Sequence, residues 1–453
     1  MLTYPNKGDK LFLGSTKTYC VVGDLLGDGG QGRVVQVMLD GQPYAVKWYH
    51  PYYHAHDPGL YERLRQAIDQ GAPNASFLWP IETVSSPDVS GFGYLMRLRD
   101  ARYRGLSDLK WGKDHKRYVR RTNRILATIG YNIAECYQCL HLKGMCYVDL
   151  NEKNVFFNPA DGDTLICDND NVDFDSQAKL EVGTPGFMAP EVQRGEARPN
   201  VLSDFHALAV LLFELFMLHH PLMGRASLKY PIEDVGIPKL FGTNPVFIFD
   251  PKDDSNRALA SGEHPEAAFA GAIAVPRWRV LPSFMQDLFV KAFGDGLHTP
   301  QARVTEGTWR RAFLRLRDLT FPCANPDCGN DNYFDPERFK SQPGPPKCAY
   351  CGQPLKKPVR MRIDNRLVMM NLGVSLYPYH IDSGRPFDLA KPIGIVAAHP
   401  LKAGVIGLRN LSDTNWSSTL PSGESVDVPP GKSALLETGV TISFGRATGE
   451  VRR

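Results

Sequence analysis

The stretch that decides the fold is YVDLNEKN, residues Tyr147–Asn154, which runs directly into the apolar residues VFF. It places an aspartate, Asp149, and an asparagine, Asn154, just ahead of a strand-like run. Aspartate and asparagine are also common residues of surface turns, because their side chains bond the neighbouring backbone. The stretch alone therefore leaves two interpretations open, an ordinary turn or a functional loop, and the rest of the chain has to separate them.

Length and composition describe an ordinary folded protein. The chain has 453 residues, of which 43% are hydrophobic and 22% charged, and its length corresponds to about two to four domains. The net charge of +3 is too small to indicate a nucleic-acid or membrane-surface partner. The sequence contains no apolar run of about 18 residues and no leader-like start, so we expect a cytoplasmic protein.

The pattern of elements changes along the chain. Up to about residue 100, short β-type runs alternate with turns, which favours a mostly antiparallel sheet. From about residue 120 the pattern is helical, as in RTNRILATIGYNIAECYQCLHLKG and SDFHALAVLLFELFMLHH. A small β half followed by a larger helical half predicts two lobes with a cleft between them.

A glycine-rich stretch lies between two of the β-type runs. In LGDGGQGRVVQV, the residues Gly27, Gly29, Gly32 and Val34 form the pattern G-x-G-x-x-G-x-V. Glycine lets a backbone approach phosphate groups closely, although a plain hairpin accounts for this motif equally well. A dinucleotide-binding fold is disfavoured because the next element is a strand and not a helix.

A lysine and a glutamate follow the glycine loop. Lys47, in YAVK, lies on the next strand, where it can reach the phosphates of a nucleotide; alone it would be a solvated edge charge. Glu62, in GLYERLRQAI, is expected to lie on a helix and to pair with Lys47. Beside such a loop, Asp149 would accept the proton of an attacking hydroxyl and Asn154 would help to hold Mg²⁺. Asp168, in LICDND, follows a β-type run and is the main candidate carboxylate for that metal.

Together these motifs resemble the protein kinase superfamily, specifically its serine/threonine branch. Besides the glycine loop, YAVK, VDLNEKN and the Asp168 motif, the chain carries GTPGFMAPE, SDFHALAVLLFEL and ARVTEGTW in the family's order. The resemblance covers roughly residues 15–318 and implies an α+β protein with a bilobal kinase fold, assigned to residues 1–318.

The resemblance also assigns roles to individual residues. It implies that ATP lies beneath the glycine loop, with its phosphates on Lys47, and that Mg or Mn is held by Asn154 and Asp168. Asp149 and Lys153 would be the catalytic pair acting on a protein substrate. The structural residues that it implies are a buried ion pair of Glu191 with Arg303 and a bracing aspartate, Asp204.

The sequence departs from the family at two motifs. The family's H-R-D reads Tyr147-Val148-Asp149, which removes the usual arginine partner of an activating phosphate. The family's D-F-G reads Asp168-Asn169-Asp170, and the added charge of Asp170 argues for a pseudokinase scaffold that binds nucleotide and docks partner proteins. The favoured function is a Mg·ATP-dependent serine/threonine protein kinase, with this scaffold as the alternative.

Four cysteines are grouped as Cys323-x4-Cys328 and Cys348-x2-Cys351. Two such turns suit a closed tetrahedral site, so we expect a structural Zn²⁺ in a zinc ribbon over residues 319–357; disulfides or an iron site are the alternatives. Cys136 and Cys139 also form C-x-x-C, but their helical, apolar context favours core packing.

Residues 358–453 read as strands and turns, which predicts an all-β sandwich. The stretches IGLRNLSDTNW and SVDVPPGKSALLETGVTISFG resemble part of a forkhead-associated domain. A kinase, a zinc ribbon and such a sandwich in this order resemble bacterial kinases of tellurite-resistance-type gene clusters. That resemblance implies a phosphatase and a von Willebrand A-domain protein as partners.

Overall fold

The computed structural model describes residues 2–111, 123–174, 183–230, 236–341, 344–385 and 387–453. The chain divides into two compact units. The first comprises Met1–Tyr118, Thr128–Arg279 and Gln286–Arg310, and the second comprises Val119–Ala127, Val280–Met285 and Arg311–Arg453. Helices and sheets occur in the same chain, as the α+β prediction requires. Among the described helices, none combines the length and the apolarity needed to cross a bilayer.

The first unit begins with a closed antiparallel barrel in the order β1-β2-β3-β4-β6-β5. The antiparallel pairing was predicted, whereas the closure and the first strand were not. Closure comes from pairing of the first and fifth strands, in which Phe12 lies opposite Ser85. Alternate residues such as Val37 and Val46 fill the interior. The strands are β1 (Lys10–Leu13), β2 (Thr18–Asp28), β3 (Gly32–Leu39), β4 (Gln42–Tyr49), β5 (Glu82–Ser85) and β6 (Gly93–Arg97).

Two helices, α1 (Pro51–His56) and α2 (Leu60–Gln70), follow β4. The buried side chains of α2 are Leu60, Leu64 and Ala67, the i, i+4, i+7 pattern of one helical face. Glu62 lies two residues after the first of these and is exposed on the opposite side. This orientation keeps the Glu62 side chain away from the barrel, whereas the apolar residues of α2 face the interior.

The helical part is built around the long buried helix α6 (Val201–Met217). Its N-terminus is capped by Asn200, whose side chain accepts the backbone N–H groups of Leu202 and Ser203. Its Phe213 packs edge-on against Phe247, with ring centroids 5.5 Å apart. The helices after α2 are α3 (Asp108–Trp111), α4 (Asn123–Leu142), α5 (Pro190–Gln193), α6 (Val201–Met217), α7 (Ala274–Val280), α8 (Ser283–Phe293), α9 (Asp295–His298) and α10 (Glu306–Asp318).

Five short strands position the loop quoted first: β7 (Arg104–Gly105), β8 (Met145–Cys146), β9 (Val155–Phe157), β10 (Thr164–Ile166) and β11 (Asp173–Phe174). In the hairpin of β9 and β10, Val155 pairs with Ile166. The preceding Asn154 therefore lies beside Cys167, whose N–H bonds its carbonyl at 2.8 Å. Pairing of β8 with β11 draws the two ends of the same region together. The hairpin thus brings Asn154 and Asp168 to one place.

The second unit contains the hairpin of β12 (Thr320–Pro322) and β13 (Asp331–Tyr333), the helix α11 (Pro336–Ser341), and two antiparallel sheets. The sheets run β15-β14-β23-β22-β19-β20 and β16-β17-β18-β21, and both contribute to one apolar core. Their elements are β14 (Arg360–Ile363), β15 (Arg366–Met369), β16 (Ser375–Leu376), the one-turn helix α12 (Pro378–Ile381), β17 (Gly394–Ala398), β18 (Ile406–Asn410), β19 (Trp416–Thr419), β20 (Ser425–Val428), β21 (Ser433–Leu435), β22 (Thr441–Ser443) and β23 (Thr448–Arg452).

Candidate active site

A cavity of about 620 Å³ in the first unit gathers most of the predicted site residues. Its lining joins the glycine-rich turn between β2 and β3 to the end of the β9–β10 hairpin. Asp149 and Glu62 are not part of this lining. The predicted residues that line the cavity are Gly27, Gly29, Gly32, Val34, Lys47, Lys153, Asn154 and Asp168.

Asp149 is held through both its carboxylate and its backbone carbonyl. Its Oδ1 accepts the Thr184 hydroxyl at 2.7 Å, and its backbone carbonyl accepts the side-chain amides of Asn151 and Asn154, each at 3.1 Å. Asn151 also donates to the Thr184 hydroxyl at 3.1 Å. These bonds fix the carboxylate of Asp149 relative to the cavity residue Asn154.

A buried aspartate braces the start of this loop. Asp204 on α6 accepts the backbone N–H of Tyr147 at 2.6 Å and that of Val148 at 3.4 Å. Val148 has a φ of 69°, a conformation that a β-branched residue rarely adopts. Strain of this kind persists only where the surroundings impose it, and these bonds to Asp204 supply part of that constraint. The expected bracing contact of Asp204 is therefore present.

The expected ion pair between Glu191 and Arg303 is also present. The two guanidinium nitrogens of Arg303 lie 2.8 and 2.7 Å from the two carboxylate oxygens of Glu191. The Arg303 side chain is 1% exposed and also donates to the carbonyls of Leu202 and Gly296. This paired geometry ties the segment after Thr184 to the helical part.

The predicted pairing of Lys47 with Glu62 is wrong. In the part of the chain that the structure describes, no hydrogen bond or ion pair joins them, because Glu62 is on the exposed face of α2. Lys47 instead donates to Asp168, to Gln31 and to both carboxylate oxygens of Asp170, the last two at 3.0 Å. The acidic partners of Lys47 therefore lie in the Asp168–Asp170 segment.

Asp170 is the site residue that sequence reasoning misplaced. From the sequence, its charge argues for a pseudokinase, whereas its side chain is 1% exposed and bonded to Lys47. The hydroxyls of Tyr49 and Tyr94 donate to the same carboxylate at 2.6 and 3.1 Å. A buried carboxylate requires such partners. The sequence signal that could have indicated this role is the alternation of side chains along β4. It places Lys47 and Tyr49 on one face, where both can donate to the same buried acid.

The glycines of the loop differ in what the fold requires of them. A Cβ at Gly32 would lie 2.3 Å from the carbonyl oxygen of Trp48, so the barrel itself demands glycine there. A Cβ at Gly27 would meet nothing within 4 Å, and one at Gly29 would meet only the Gly32 carbonyl at 3.9 Å. Gly27 and Gly29 therefore keep open space beside the cavity without being required by the packing.

Comparison with known proteins identifies the region around this loop. Residues 106–254 match the model of the family described as protein kinase domain. The chain contains a protein kinase domain. The matched range includes Asp149, Asn154 and Asp168.

Three curated kinases share parts of the chain at low coverage. Rhodopsin kinase GRK1 of Homo sapiens is 37% identical over 92 residues, which is 19% of this chain and 16% of that protein. Serine/threonine-protein kinase sck2 of Schizosaccharomyces pombe is 33% identical over 82 residues, 17% of this chain and 12% of that protein. The putative ribosomal protein S6 kinase alpha-1 of Caenorhabditis elegans is 28% identical over 151 residues, which is 31% of this chain and 19% of that protein. Each match covers less than a fifth of the relative.

The electrostatics of the cavity centre on Lys47. Burial opposes its charge, but the carboxylates of Asp170 and Asp168 outweigh burial and hold the pKa of Lys47 above its ordinary value. Burial, together with repulsion from Asp170, raises the pKa of Asp168 to about 6 against the opposing effect of Lys47. For Asp170, burial is outweighed by Lys47 and by the Tyr49 hydrogen bond, so the pKa of Asp170 is lowered. Charge therefore favours an ionised pair of Lys47 with Asp170.

The second unit contains a separate candidate metal centre. The Sγ atoms of Cys323, Cys328, Cys348 and Cys351 all lie within 4.8 Å of one another. The Cys323–Cys351 and Cys328–Cys348 sulfur separations are 3.7 and 3.8 Å. A tetrahedral zinc with bonds of about 2.3 Å places its thiolates roughly 3.8 Å apart, whereas a disulfide requires about 2.05 Å. The donor set therefore fits zinc, and the sulfur separations in the structure are too long for disulfide bonds.

Amide groups support this cysteine cluster from outside. The side chain of Asn330 donates to the Cys328 sulfur at 3.3 Å and that of Asn332 to the Cys348 sulfur at 3.5 Å. Burial raises the pKa of Cys348, but hydrogen bonds from backbone amides and from Asn332 lower it to about 7. Such donors stabilise the thiolate form that a metal requires. By contrast, Cys136 is buried on α4 and belongs to no such group of ligands among the described residues.

Proposed function

We propose that the chain is a Mg·ATP-dependent serine/threonine protein kinase that transfers the γ-phosphate of ATP to a protein hydroxyl. The observation that carries this proposal is the gathering of the glycine loop, Lys47, Asn154 and Asp168 around one cavity, beside an Asp149 carboxylate fixed by Thr184. Each is a residue type that phosphoryl transfer uses for positioning or for charge stabilisation.

The cavity supports ATP as the phosphate donor. Part of its lining is apolar and suits the faces of a purine, while the space beside Gly27 and Gly29 suits a phosphate chain. Lys47 supplies the cation for that chain. Lys47 also donates to the amide oxygen of Gln31, a residue of the glycine-rich loop. This oxygen is a neutral acceptor that a phosphate oxygen can replace. The apolar lining is Leu26, Val34, Ala45, Leu78, Met96 and Phe156.

Two oxygen-bearing side chains suit a hard divalent cation. The side-chain amide nitrogen of Asn154 donates to the Asp149 carbonyl, which leaves the amide oxygen of Asn154 for the cavity. The Asp168 side chain is 32% exposed and reaches the same cavity. These residues would hold Mg or Mn, which supplies neutralisation of phosphate charge during transfer.

The remaining groups act on the acceptor. Asp149, held in place by Thr184 and its own backbone contacts, accepts the proton of the attacking hydroxyl. Lys153 is exposed at the cavity edge and supplies a cation near the γ-phosphate, where Asn151 replaces the family's usual lysine. Thr184 and the serine/threonine kinase among the relatives favour serine and threonine as acceptors.

The finer organisation belongs to the same proposal. We assign residues 1–318 to the bilobal kinase, 319–357 to a zinc ribbon with one structural Zn, and 358–453 to a forkhead-associated-like sandwich that docks proteins. A role in bacterial signalling in the cytoplasm, with a von Willebrand A-domain protein and a phosphatase as partners, completes the proposal.

The pseudokinase alternative depended on the charge of Asp170. That charge is bonded to Lys47, Tyr49 and Tyr94 and is buried away from the cavity lining. A carboxylate so neutralised exerts little repulsion on a phosphate, since its field is cancelled by the adjacent ammonium. We therefore favour the enzyme over the scaffold.

The test is transfer of labelled γ-phosphate to the protein itself and to dephosphorylated casein, with Mg²⁺ or Mn²⁺. Asp149→Asn should reduce transfer by about 100-fold or more, which is the usual contribution of a positioned base. The matched control is Asp88→Asn, an exposed aspartate of the barrel that should transfer like the wild type. Absence of transfer by the wild type with both metals would refute the proposal.

A further inference from the structure

Among the described residues, Asp170 is the hydrogen-bond acceptor of Lys47 that lies away from the cavity lining. The Asp168 and Gln31 contacts of Lys47 come from residues that line the cavity, whereas Asp170 is 1% exposed and is not part of that lining. An ammonium group has three hydrogens to donate. The four contacts of Lys47 share these hydrogens: two go to the carboxylate oxygens of Asp170 behind the lysine, and two go to Asp168 and Gln31 on the cavity side.

The barrel presents three donors to this one carboxylate. Lys47 and Tyr49 are two residues apart and therefore share a face of β4. Tyr94 lies directly opposite Lys47 on β6. All three side chains donate to Asp170, with donor–acceptor distances between 2.6 and 3.1 Å. Asp170 is thus part of the barrel wall's hydrogen bonding, although it belongs to a distant segment.

The backbone delivers Asp170 to that wall by a sharp turn. Asp168 has a left-handed conformation, with φ 57° and ψ 45°, and is followed by a 3-10 helix over Asn169–Asn171. The Asn169 side chain donates to the Ile166 carbonyl at 3.0 Å. Because of this turn, Asp168 reaches the cavity while Asp170 reaches the buried side of Lys47.

The helix α2 is held in place by contacts that do not involve Lys47. Trp79 donates its indole N–H to the Ala67 carbonyl at 2.8 Å. The Lys143 ammonium caps the end of the helix through the carbonyls of Gln70, Gly71 and Ala72, at 2.8 to 3.1 Å. These contacts do not involve Lys47, and the apolar residues Leu60 and Leu64 of α2 pack with Tyr49 and Tyr94 rather than with the lysine's ammonium group.

We propose that Asp170, not a carboxylate from helix α2, is the positioning residue that orients Lys47 toward the phosphates of ATP. This inference rests on the proposed function and specifies how its lysine is held. Without Asp170, the carboxylate left to Lys47 among the described residues would be that of Asp168, and the lysine and the metal would compete for it. The carboxylate that orients the lysine then comes from the Asp168–Asp170 segment and not from α2.

The test compares Asp170→Asn with the matched carboxylate-to-amide variant Glu62→Gln. Binding of Mg·ATP and of adenosine is measured by calorimetry, and KM for ATP and kcat are measured by phosphate transfer. Asp170→Asn should weaken Mg·ATP binding and raise KM by about tenfold or more, since it removes a charge-assisted bond. Adenosine affinity should be unchanged, because adenosine has no phosphate for Lys47 to bind. Glu62→Gln should alter none of these values by more than about twofold.

Each other outcome has a defined meaning. Unchanged Mg·ATP affinity in Asp170→Asn, or an equal loss in Glu62→Gln, would overturn the inference while leaving the proposed function intact. If Asp170→Asn also loses adenosine, Tyr94→Phe decides: a loss confined to Mg·ATP supports the inference, and no loss overturns it. A wild type that binds no ATP and transfers no phosphate would instead refute the proposed function.

Discussion

The Nζ of Lys47 lies 3.0 Å from each carboxylate oxygen of Asp170, a residue that follows it by 123 positions in the chain. This pair occupies the place where the sequence predicts a contact with Glu62. Asp170, the third residue of the Asp168–Asp170 motif, therefore holds the lysine in place. The departure from the family's motif at this position has a structural role in the site. The four predictions that follow concern other parts of the molecule.

The Thr184 hydroxyl should be required for turnover and not for nucleotide binding. It donates to Asp149 and accepts from Asn151, so it orients the proton acceptor. Thr184→Val should lower kcat by about tenfold or more, the usual effect of losing a bond to a charged group, with KM for ATP unchanged. Thr184→Ser keeps the hydroxyl and should stay close to the wild type. Equal activity of the valine and serine variants would show that the hydroxyl has no such role.

Activity should not require phosphorylation between Asp168 and Glu191. Val148 replaces the arginine that would receive an activating phosphate, and the hydroxyl residues in this interval are Ser176 and Thr184. Ser176 lies outside the described residues. Ser176→Ala should turn over at a rate near the wild type, and prior treatment with a generic phosphatase should not change either rate. A loss of about tenfold or more in phosphate transfer would contradict this prediction.

The protein should contain about one zinc per chain. The four sulfurs have the spacing of a tetrahedral site, and so small a ribbon needs a metal to fold. Elemental analysis of protein purified without chelator should give this stoichiometry, and Cys348→Ser should lose the metal. The control Cys139→Ser, on helix α4, should keep it. In Cys348→Ser the affinity for Mg·ATP should be retained, since the cavity is built from other residues.

A metal content near zero in the wild type would contradict the zinc prediction. Iron in place of zinc would leave the structural role but correct the identity of the ion.

The stability of the first unit should fall as pH rises from about 6.5 to 9. His141 is buried, which opposes its charge, but its bonds to Asp204 and Glu306 outweigh burial and raise the pKa of His141 to about 9. Between the two pKa values the folded protein keeps a proton that the unfolded chain has lost, so the stabilisation is complete below pH 6.5 and disappears above pH 9. Its upper limit is about 3 kcal/mol.

Thermal unfolding at pH 6 and pH 9.5 measures this effect. His141→Gln should reduce the difference in melting temperature between the two pH values, whereas the exposed control His264→Gln should behave like the wild type. If the wild type and His141→Gln show the same pH dependence, the histidine carries no stabilising charge.

Much of the candidate site could be predicted because it consists of short motifs. The spacing of residues within LGDGGQGRVVQV, YAVK and YVDLNEKN depends on local backbone geometry. Such spacing can therefore be read from one sequence without knowledge of the fold. The structure brings these motifs to one cavity and forms the expected contacts of Asp204 and of Glu191 with Arg303. Likewise, the paired spacing of the cysteines was sufficient to group their four sulfurs.

The sequence by itself determined which chemical groups the protein carries and their order, and so the kinase-domain resemblance, the antiparallel β region and the cysteine cluster. The tertiary structure decided which charges meet. Glu62 was assigned to Lys47 because it lies nearby in the chain, yet the apolar face of α2 turns it to solvent. Asp170 is far away in the chain, but the register of β4 and β6 and the turn at Asp168 bring it to the lysine. A buried charge is stabilised by whichever partner the packing delivers, and packing depends on non-local contacts that no single stretch of sequence contains.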